Sequence, residues 1–280
     1  MIARLINRRM AVADMGKAGM AIMVFGLAAC ADQPGEASTT SFGTTSSTAG
    51  PGGTTPSSPS STTPPTDTTS SPPASGAVTA WHRVALSGVS AYILYRNGEG
   101  ALVDTGNPGD HGAIETALGE VGLGWDSIGH VIVTHKHGDH QGSAEAIAQV
   151  APGATFYAGE GDAPSIRLPA PPTIVGDSDR VFDLNIVETP GHTPGHLTVH
   201  DPVSGILVAG DSLNGVGSGV SGSDSGVGGA NPRFSEDMAA AEDSIRKMAQ
   251  LSFEVILFGH GEPLLEGGTA AVDTLIETLP

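Results

Sequence analysis

The run Thr134-His135-Lys136-His137-Gly138-Asp139-His140 follows directly on the apolar stretch His130-Val131-Ile132-Val133. Three imidazoles and a carboxylate within six residues, where a strand runs out into a turn, can converge on one or two small cations. Imidazole and carboxylate are the donors that suit zinc, iron or manganese. Three later segments repeat the arrangement. Thr189-Pro190-Gly191-His192-Thr193-Pro194-Gly195-His196 follows a second apolar run, Ala209-Gly210-Asp211 ends the next, and Phe258-Gly259-His260-Gly261 ends the last. Each puts a His or Asp where a strand gives way to a glycine-flanked loop, the place where side chains meet above a rigid sheet edge.

Working outward, short β-rich runs alternate with helical ones beyond residue 77. Strands are predicted over 78–85, 90–95, 100–104, 130–134, 154–157, 180–188, 196–200, 205–209 and 254–258, runs rich in Val, Ile, Leu and Tyr and bounded by Gly, Pro, Asn or Asp. Helices are predicted over 110–121, 139–150, 235–251 and 268–279. The third opens on Ser235 as N-cap, carries Glu236 and Asp237 in its first turn, and repeats apolar residues at Met238, Ala241, Ile245 and Met248. Strands in groups with helices interspersed predict an α/β fold of sheets covered by helices, not a regular βαβ barrel. Residues 78–280 are enough for one domain with a sizeable core.

The chain has 280 residues, with 12 Lys and Arg against 30 Asp and Glu and a formal net charge of −18. That balance argues against nucleic acid as a partner, because phosphate contacts are made mostly by Lys and Arg. The single cysteine, Cys30, excludes an internal disulfide and a multi-cysteine zinc site. Any metal must be held by His, Asp and Glu.

Residues 1–29 carry Arg4, Arg8, Arg9 and Lys17, then an apolar run from Ala18 to Ala29, in the order of a secretory signal. Those twelve residues reach about 18 Å as a helix, short of the roughly 30 Å hydrocarbon core, so a permanent membrane span is not expected. Leu27-Ala28-Ala29-Cys30 resembles the bacterial lipobox, which implies lipidation of Cys30 and a membrane anchor. Residues 30–77 are almost entirely Ser, Thr, Pro and Gly and bury too little apolar surface to offset their ordering entropy. They are predicted to be a disordered tether reaching about 40 Å.

The His-x-His-x-Asp-His motif at 135–140, the Pro-Gly-His at 192, the Gly-Asp at 211 and the Gly-His at 260 occur in the chain order of the metallo-β-lactamase-fold hydrolase superfamily, which this sequence resembles. Leu102-Val103-Asp104-Thr105-Gly106 is similar to that family's early strand-end motif, so the resemblance spans essentially 78–280. It implies an αβ/βα sandwich of two mixed β-sheets flanked by helices, with the site at one edge. It implies two divalent metal ions, zinc first with iron or manganese as alternatives. One would be held by His135, His137 and His192, the other by Asp139, His140 and His260, with Asp211 bridging. The set looks most like the glyoxalase II and lactonase branches. Asp211 and the lack of an available cysteine depart from many true β-lactamases. The sequence runs about twenty residues past His260, which sets the expectation that the C-terminal helical domain of glyoxalase II is absent and that its glutathione thioester is not the substrate.

The expected activity is metal-dependent hydrolysis of a small ester, lactone or thioester by an exported, lipid-anchored protein. Asp139 is the expected group that orients the attacking water and takes its proton. Three other readings compete: β-lactam hydrolysis, iron-dependent redox chemistry on the same fold, and a non-enzymatic metal-binding lipoprotein. Asp104 is expected either to hydrogen-bond a ligating imidazole from behind, fixing its tautomer, or to cap a turn, and His196 is expected in a structural or supporting role and not as a ligand. Lys136 is expected to point to solvent or to meet an anionic substrate. Residues 214–230, rich in Gly and Ser, are expected either as a flap over the site or as a connecting loop.

Overall fold

Side chains along β2 (Ser90–Arg96) alternate between two apolar layers, Tyr92 and Leu94 entering one and Ala91 and Ile93 the other. A strand buried on both faces belongs inside a layered fold, and the computed structural model, which describes residues 79–223 and 226–280, shows four layers. The expected signal segment, Cys30 and the tether lie outside the described residues. Among the described residues, no helix is long and apolar enough to cross a membrane.

The first sheet runs β1 (Ala80–Ala85), β2, β3 (Glu99–Val103), β4 (Ile128–Ile132), β5 (Thr155–Ala158) and β6 (Thr173–Ile174), each beside the next. β1 to β3 are antiparallel and β3 to β6 parallel. The second sheet contains β7 (Arg180–Val181), β8 (Leu184–Glu188), β9 (Leu197–Asp201), β10 (Ile206–Gly210) and a later strand, β13 (Val255–Phe258), in the order β13-β10-β9-β8-β7. Only β10 and β13 pair in parallel. Both sheets are therefore mixed. β11 (Asn214–Gly215) and β12 (Val227–Gly228) form a separate two-stranded piece.

Between the sheets, Tyr92, Leu94, Val103 and Ile132 meet Leu184, Ile186, Val199 and Leu257. Outside the first sheet, Ile93, Leu102 and Val131 pack on α1 (His111–Glu120) and α3 (Ala144–Val150) through Ile114, Leu118 and Ile147. Outside the second, Leu207, Ile256 and Phe258 pack on α4 (Met238–Met248) and α5 (Gly268–Ile276) through Ile245, Met248 and Val272. Each such buried side chain contributes about 1.5–3 kcal/mol, whereas an exposed pair such as Arg246–Asp243 adds well under about 1 kcal/mol. Apolar layering holds the sandwich.

Four expectations change. The strand predicted over 180–188 is a hairpin, β7 and β8, turned by Phe182 and Asp183 at φ 54° and 57°. Those two left-handed residues match a two-residue hairpin turn, and Arg96 holds them: its guanidinium lies 4.3 Å over the Phe182 ring and donates to Phe182 O at 2.6 Å and Asp183 Oδ2 at 3.0 Å. The helix predicted over 139–150 is two helices, α2 (Gly138–Gln141) and α3. The break falls at Gly142, whose N–H goes to Gly106 O at 2.8 Å instead of continuing the helix. The N-cap of α4 is Asp237, which accepts from Ala240 N, not Ser235. The predicted 130–134 strand ends at Ile132, which leaves Thr134 and His135 in the loop beyond it.

Candidate metal centre

Functional side chains leave the C-terminal ends of five strands: Asp104 after β3, the 134–140 run after β4, His192 after β8, Asp211 after β10 and His260 after β13. Backbone bonds knit these ends together. Leu197 N donates to Thr134 O at 2.8 Å across the two sheets, and Ser90 N donates to Gly259 O at 2.8 Å. Tyr92 Oη donates to Phe258 O at 2.8 Å, two residues before His260.

The donor atoms of His135, His137 and His192 lie within 4.8 Å of one another, as do those of Asp139, His140 and His260 and those of His135, His140 and Asp211. Both groups of three that the resemblance implies are thus brought together. Asp211 sits between them, with Oδ2 3.4 Å from His192 Nε2 and 3.2 Å from His260 Nε2, and Oδ1 3.3 Å from His140 Nε2. Asp139 Oδ2 is 3.4 Å from His260 Nε2.

The hydrogen-bond network behind these rings sets which nitrogen faces inward. Thr134 Oγ1 donates to Asp104, so it accepts from His135 Nδ1 at 3.1 Å and leaves His135 Nε2 as the lone pair. Ser235 Oγ donates to Asn231 O, so it accepts from His192 Nδ1 at 3.0 Å and turns His192 Nε2 inward. His260 Nδ1 donates to Gly88 O at 2.6 Å, and His140 Nδ1 to Asp104 Oδ2 at 2.8 Å. Each outward bond fixes a tautomer, as partners of metal-binding histidines do. His196 is different. Its Nε2 accepts from Asp211 N at 3.0 Å and its Nδ1 faces Thr189 Oγ1 at 2.8 Å, so it orients Asp211 and has no free nitrogen.

Electrostatics separates the rings. Burial pushes His135 and His196 well below the ordinary imidazole value and His192 down to about 4, so these stay neutral. Burial also opposes charge on His140 and His260, but the carboxylates override it. Asp211 and Asp104 hold His140 well above its ordinary value, and Asp139 and Asp211 bring His260 to about 10. Asp211 is held well below the usual carboxylate range because His140 and His260 outweigh its desolvation, and the His260 bond lowers Asp139.

A divalent cation fits this donor set. His140 Nε2 and Asp211 Oδ1 are buried and face each other at 3.3 Å without hydrogen-bond geometry, which leaves both atoms able to turn to a cation. Gly259 makes the room: a Cβ there would lie 2.3 Å from Asp211 Oδ1 and 2.7 Å from His140 Cε1.

Asp104, buried, accepts from Thr134 N at 2.7 Å, from Thr134 Oγ1 and from His140, in a left-handed conformation (φ 64°) unusual for a residue with a side chain. Lys136 does not point freely to solvent: Nζ is 2.7 Å from Glu236 and 3.8 Å from Asp162. From the loop 214–230, Asn214 of β11, Ser218 and Val220 enter the wall of a cavity of about 350 Å³ over the cluster, with Ser218 bonded to the Ser223 hydroxyl at 3.1 Å. Asn214, Ser218, Val220, Asn231 and Phe234 line that side. Sequence reasoning missed Ser235, Gly88 and Asp162 as partners of the histidine loops. Ser235 carried the signal of a helix cap, and the other two carried none.

Residues 84–260 match the family model of the Metallo-beta-lactamase superfamily. A hydroxyacylglutathione hydrolase of Rhodospirillum rubrum is 35% identical over 144 residues, 49% of this chain and 50% of that protein. The uncharacterized protein YobT of Bacillus subtilis (strain 168) is 32% identical over 151 residues, 46% of this chain and 64% of that protein. The chain therefore spans between half and two thirds of these curated relatives. Among solved structures, a metallo-beta-lactamase family protein from Thermus thermophilus superposes with a TM-score of 0.55 at 21% identity, covering 70% of this chain and 78% of that one. A subclass B3 metallo-beta-lactamase of Bradyrhizobium japonicum gives 0.51 at 22%, covering 71% and 89%. At such identities the structural likeness is one of fold, which here is the αβ/βα sandwich. The matched segment contains every one of the converging histidines and aspartates, and the chain belongs to the metallo-beta-lactamase superfamily.

Proposed function

We propose that this chain is an exported, lipid-anchored, metal-dependent hydrolase of a small ester, lactone or thioester. The observation that supports it most is the convergence of two three-residue donor groups around Asp211 beneath an open cavity. Relatives named hydroxyacylglutathione hydrolases support hydrolysis as the reaction class. His135, His137 and His192 would hold one divalent ion, Asp139, His140 and His260 a second, and Asp211 would touch both. Zinc is the first choice, with iron or manganese as alternatives. Bound there, such ions supply Lewis acidity, which acidifies water and polarises an acyl carbonyl.

The chain's own residues do the rest. Asp139 lines the cavity with a half-exposed, ionised carboxylate, which accepts a hydrogen bond from water and aims its oxygen at the substrate. His196 and Asp104 keep Asp211 and His140 in place from behind. No serine or cysteine nucleophile is required. The lipobox-like Leu27-Ala28-Ala29-Cys30 supports the anchor, and residues 30–77 would be the tether.

Initial rates of the metal-loaded protein on lactones, thioesters, aryl esters and β-lactams test the reading, with His135→Ala as blank. Metal-dependent turnover of one acyl class is expected, and Asp139→Asn should lower it by about 10²-fold or more with the fold kept. Bound metal without turnover on any class would sink the hydrolase assignment, and oxygen consumption by an iron-loaded form would redirect it. The anchor has its own test: Cys30→Ala should move the protein out of the membrane fraction, and retention there would refute it.

A further inference from the structure

The cavity wall opposite the histidines is neutral: Asn214, Ser218, Val220, Asn231 and Phe234 carry no charge, and no Lys or Arg lines the cavity among the described residues. Two nearby cations are engaged elsewhere, and Arg233 contributes no lining to the cavity. Lys136 pairs with Glu236 and Asp162, and Arg83 with Glu262 at 2.6 Å. Arg233 keeps its guanidinium carbon 5.6 Å from the Phe234 ring. Residues 1–78 hold four cationic and four acidic side chains, so the whole formal charge of −18 belongs to 79–280. With no cation in the cavity wall, a substrate carboxylate held against it would lose its hydration without gaining a partner. Val220 is buried in the wall while Phe234 is 57% exposed, so its ring still offers apolar area beside the Arg233 guanidinium.

We propose that the substrate is an uncharged acyl compound whose apolar part rests on Val220 and Phe234, and that carboxylate-bearing analogues are discriminated against. This rests on the hydrolase reading. In the reaction the water oxygen bonds to the acyl carbon. The acyl–oxygen or acyl–sulfur bond breaks with its electron pair on the leaving heteroatom, which takes one proton of the water. The other proton is lost as the acid ionises, so the product is a carboxylate.

The test compares kcat/KM for an uncharged aryl butyrate and the matched aryl hemisuccinate, each as oxygen ester and as thioester, at low and high salt. The uncharged member should be faster by at least about tenfold at both salt concentrations, because an unpaired carboxylate loses its hydration whatever the ionic strength. Ser218→Lys should raise the rate on the hemisuccinate. An anionic member equal to or faster than its partner at either salt concentration overturns the proposal and leaves the hydrolase reading standing. Metal-dependent turnover of neither overturns the proposal, and the hydrolase reading falls with it only when lactones and β-lactams are silent as well.

Asp162 supports an independent inference. Its side chain has no exposed surface, and it accepts from Lys136 N at 3.1 Å, Gly195 N at 3.1 Å and Thr193 Oγ1. Lys136 lies between His135 and His137, and Thr193 follows His192. The chain around Asp162 is packed backbone to backbone on the second loop: a Cβ at Gly195 would lie 2.2 Å from Asp162 N, and one at Gly159 2.2 Å from Gly195 O. We infer that Asp162 is a positioning residue that sets the spacing of the three-histidine group by tying residues 135–137 to 192–195. Cobalt titration, followed by its visible spectrum together with thermal melting, tests this on Asp162→Asn and on Thr193→Val, which deletes a single bond. Cobalt should bind the three-histidine group about tenfold more weakly in a protein that still melts cooperatively. Wild-type affinity and spectrum in either folded variant overturns the inference.

Discussion

Gly259 has no side chain because Asp211 and His140 occupy the space that one would need. Gly259→Ala should therefore damage the site far more than the fold. The expected outcome is at least tenfold weaker metal binding, with a loss of about 1–3 kcal/mol from overpacking, read by metal titration and by urea unfolding of the metal-free protein. At this scale the sequence was most informative for residues that follow a strand in a recognisable run. All seven expected ligands, from His135 to His260, converge. Asp162 and Gly88 were invisible because their contacts, to Thr193 and to His260, join segments that only the fold brings together. Ser235 looked like a helix cap because that is what a serine before Glu and Asp resembles, while its hydroxyl is spent between His192 and Asn231.

Element ends were less legible than element identities. Each predicted strand has a counterpart, but the 182–183 turn needed two side-chain residues at positive φ, a conformation that sequence preference disfavours and that Arg96 enforces from another strand. The gap between α2 and α3 likewise depends on Gly106, which is remote in sequence. β2 carries a prediction of its own. Burial raises the Tyr92 phenol to about 12 against the pull of Arg83, while the unfolded chain ionises near 10. Between those values the unfolded state gives up a proton that the folded state keeps, so stability falls as pH rises, by about 2 kcal/mol at pH 12. Urea midpoints from pH 9 to 12 should show this drop in the wild type. Tyr92→Phe should lack it, after losing about 1 kcal/mol at neutral pH with the bond to Phe258 O.

Across the whole molecule, every member of the three large apolar clusters lies between Trp81 and Leu279. A protein trimmed to residues 79–280 should keep the urea midpoint and metal stoichiometry of the full chain, and a lower midpoint would show that the segment before it contributes to the fold. The order of the sheets has a further consequence. The first sheet uses only residues 80–174 and the second only 180–258, so the chain passes between them once, through the exposed turn at Asp177-Ser178-Asp179. His135, His137, Asp139 and His140 stand on one side of that crossing and His192, Asp211 and His260 on the other. Severed at the turn, the protein would become a molecular coincidence detector, two fragments each carrying half a grip on the ion, with metal capture announcing their reunion.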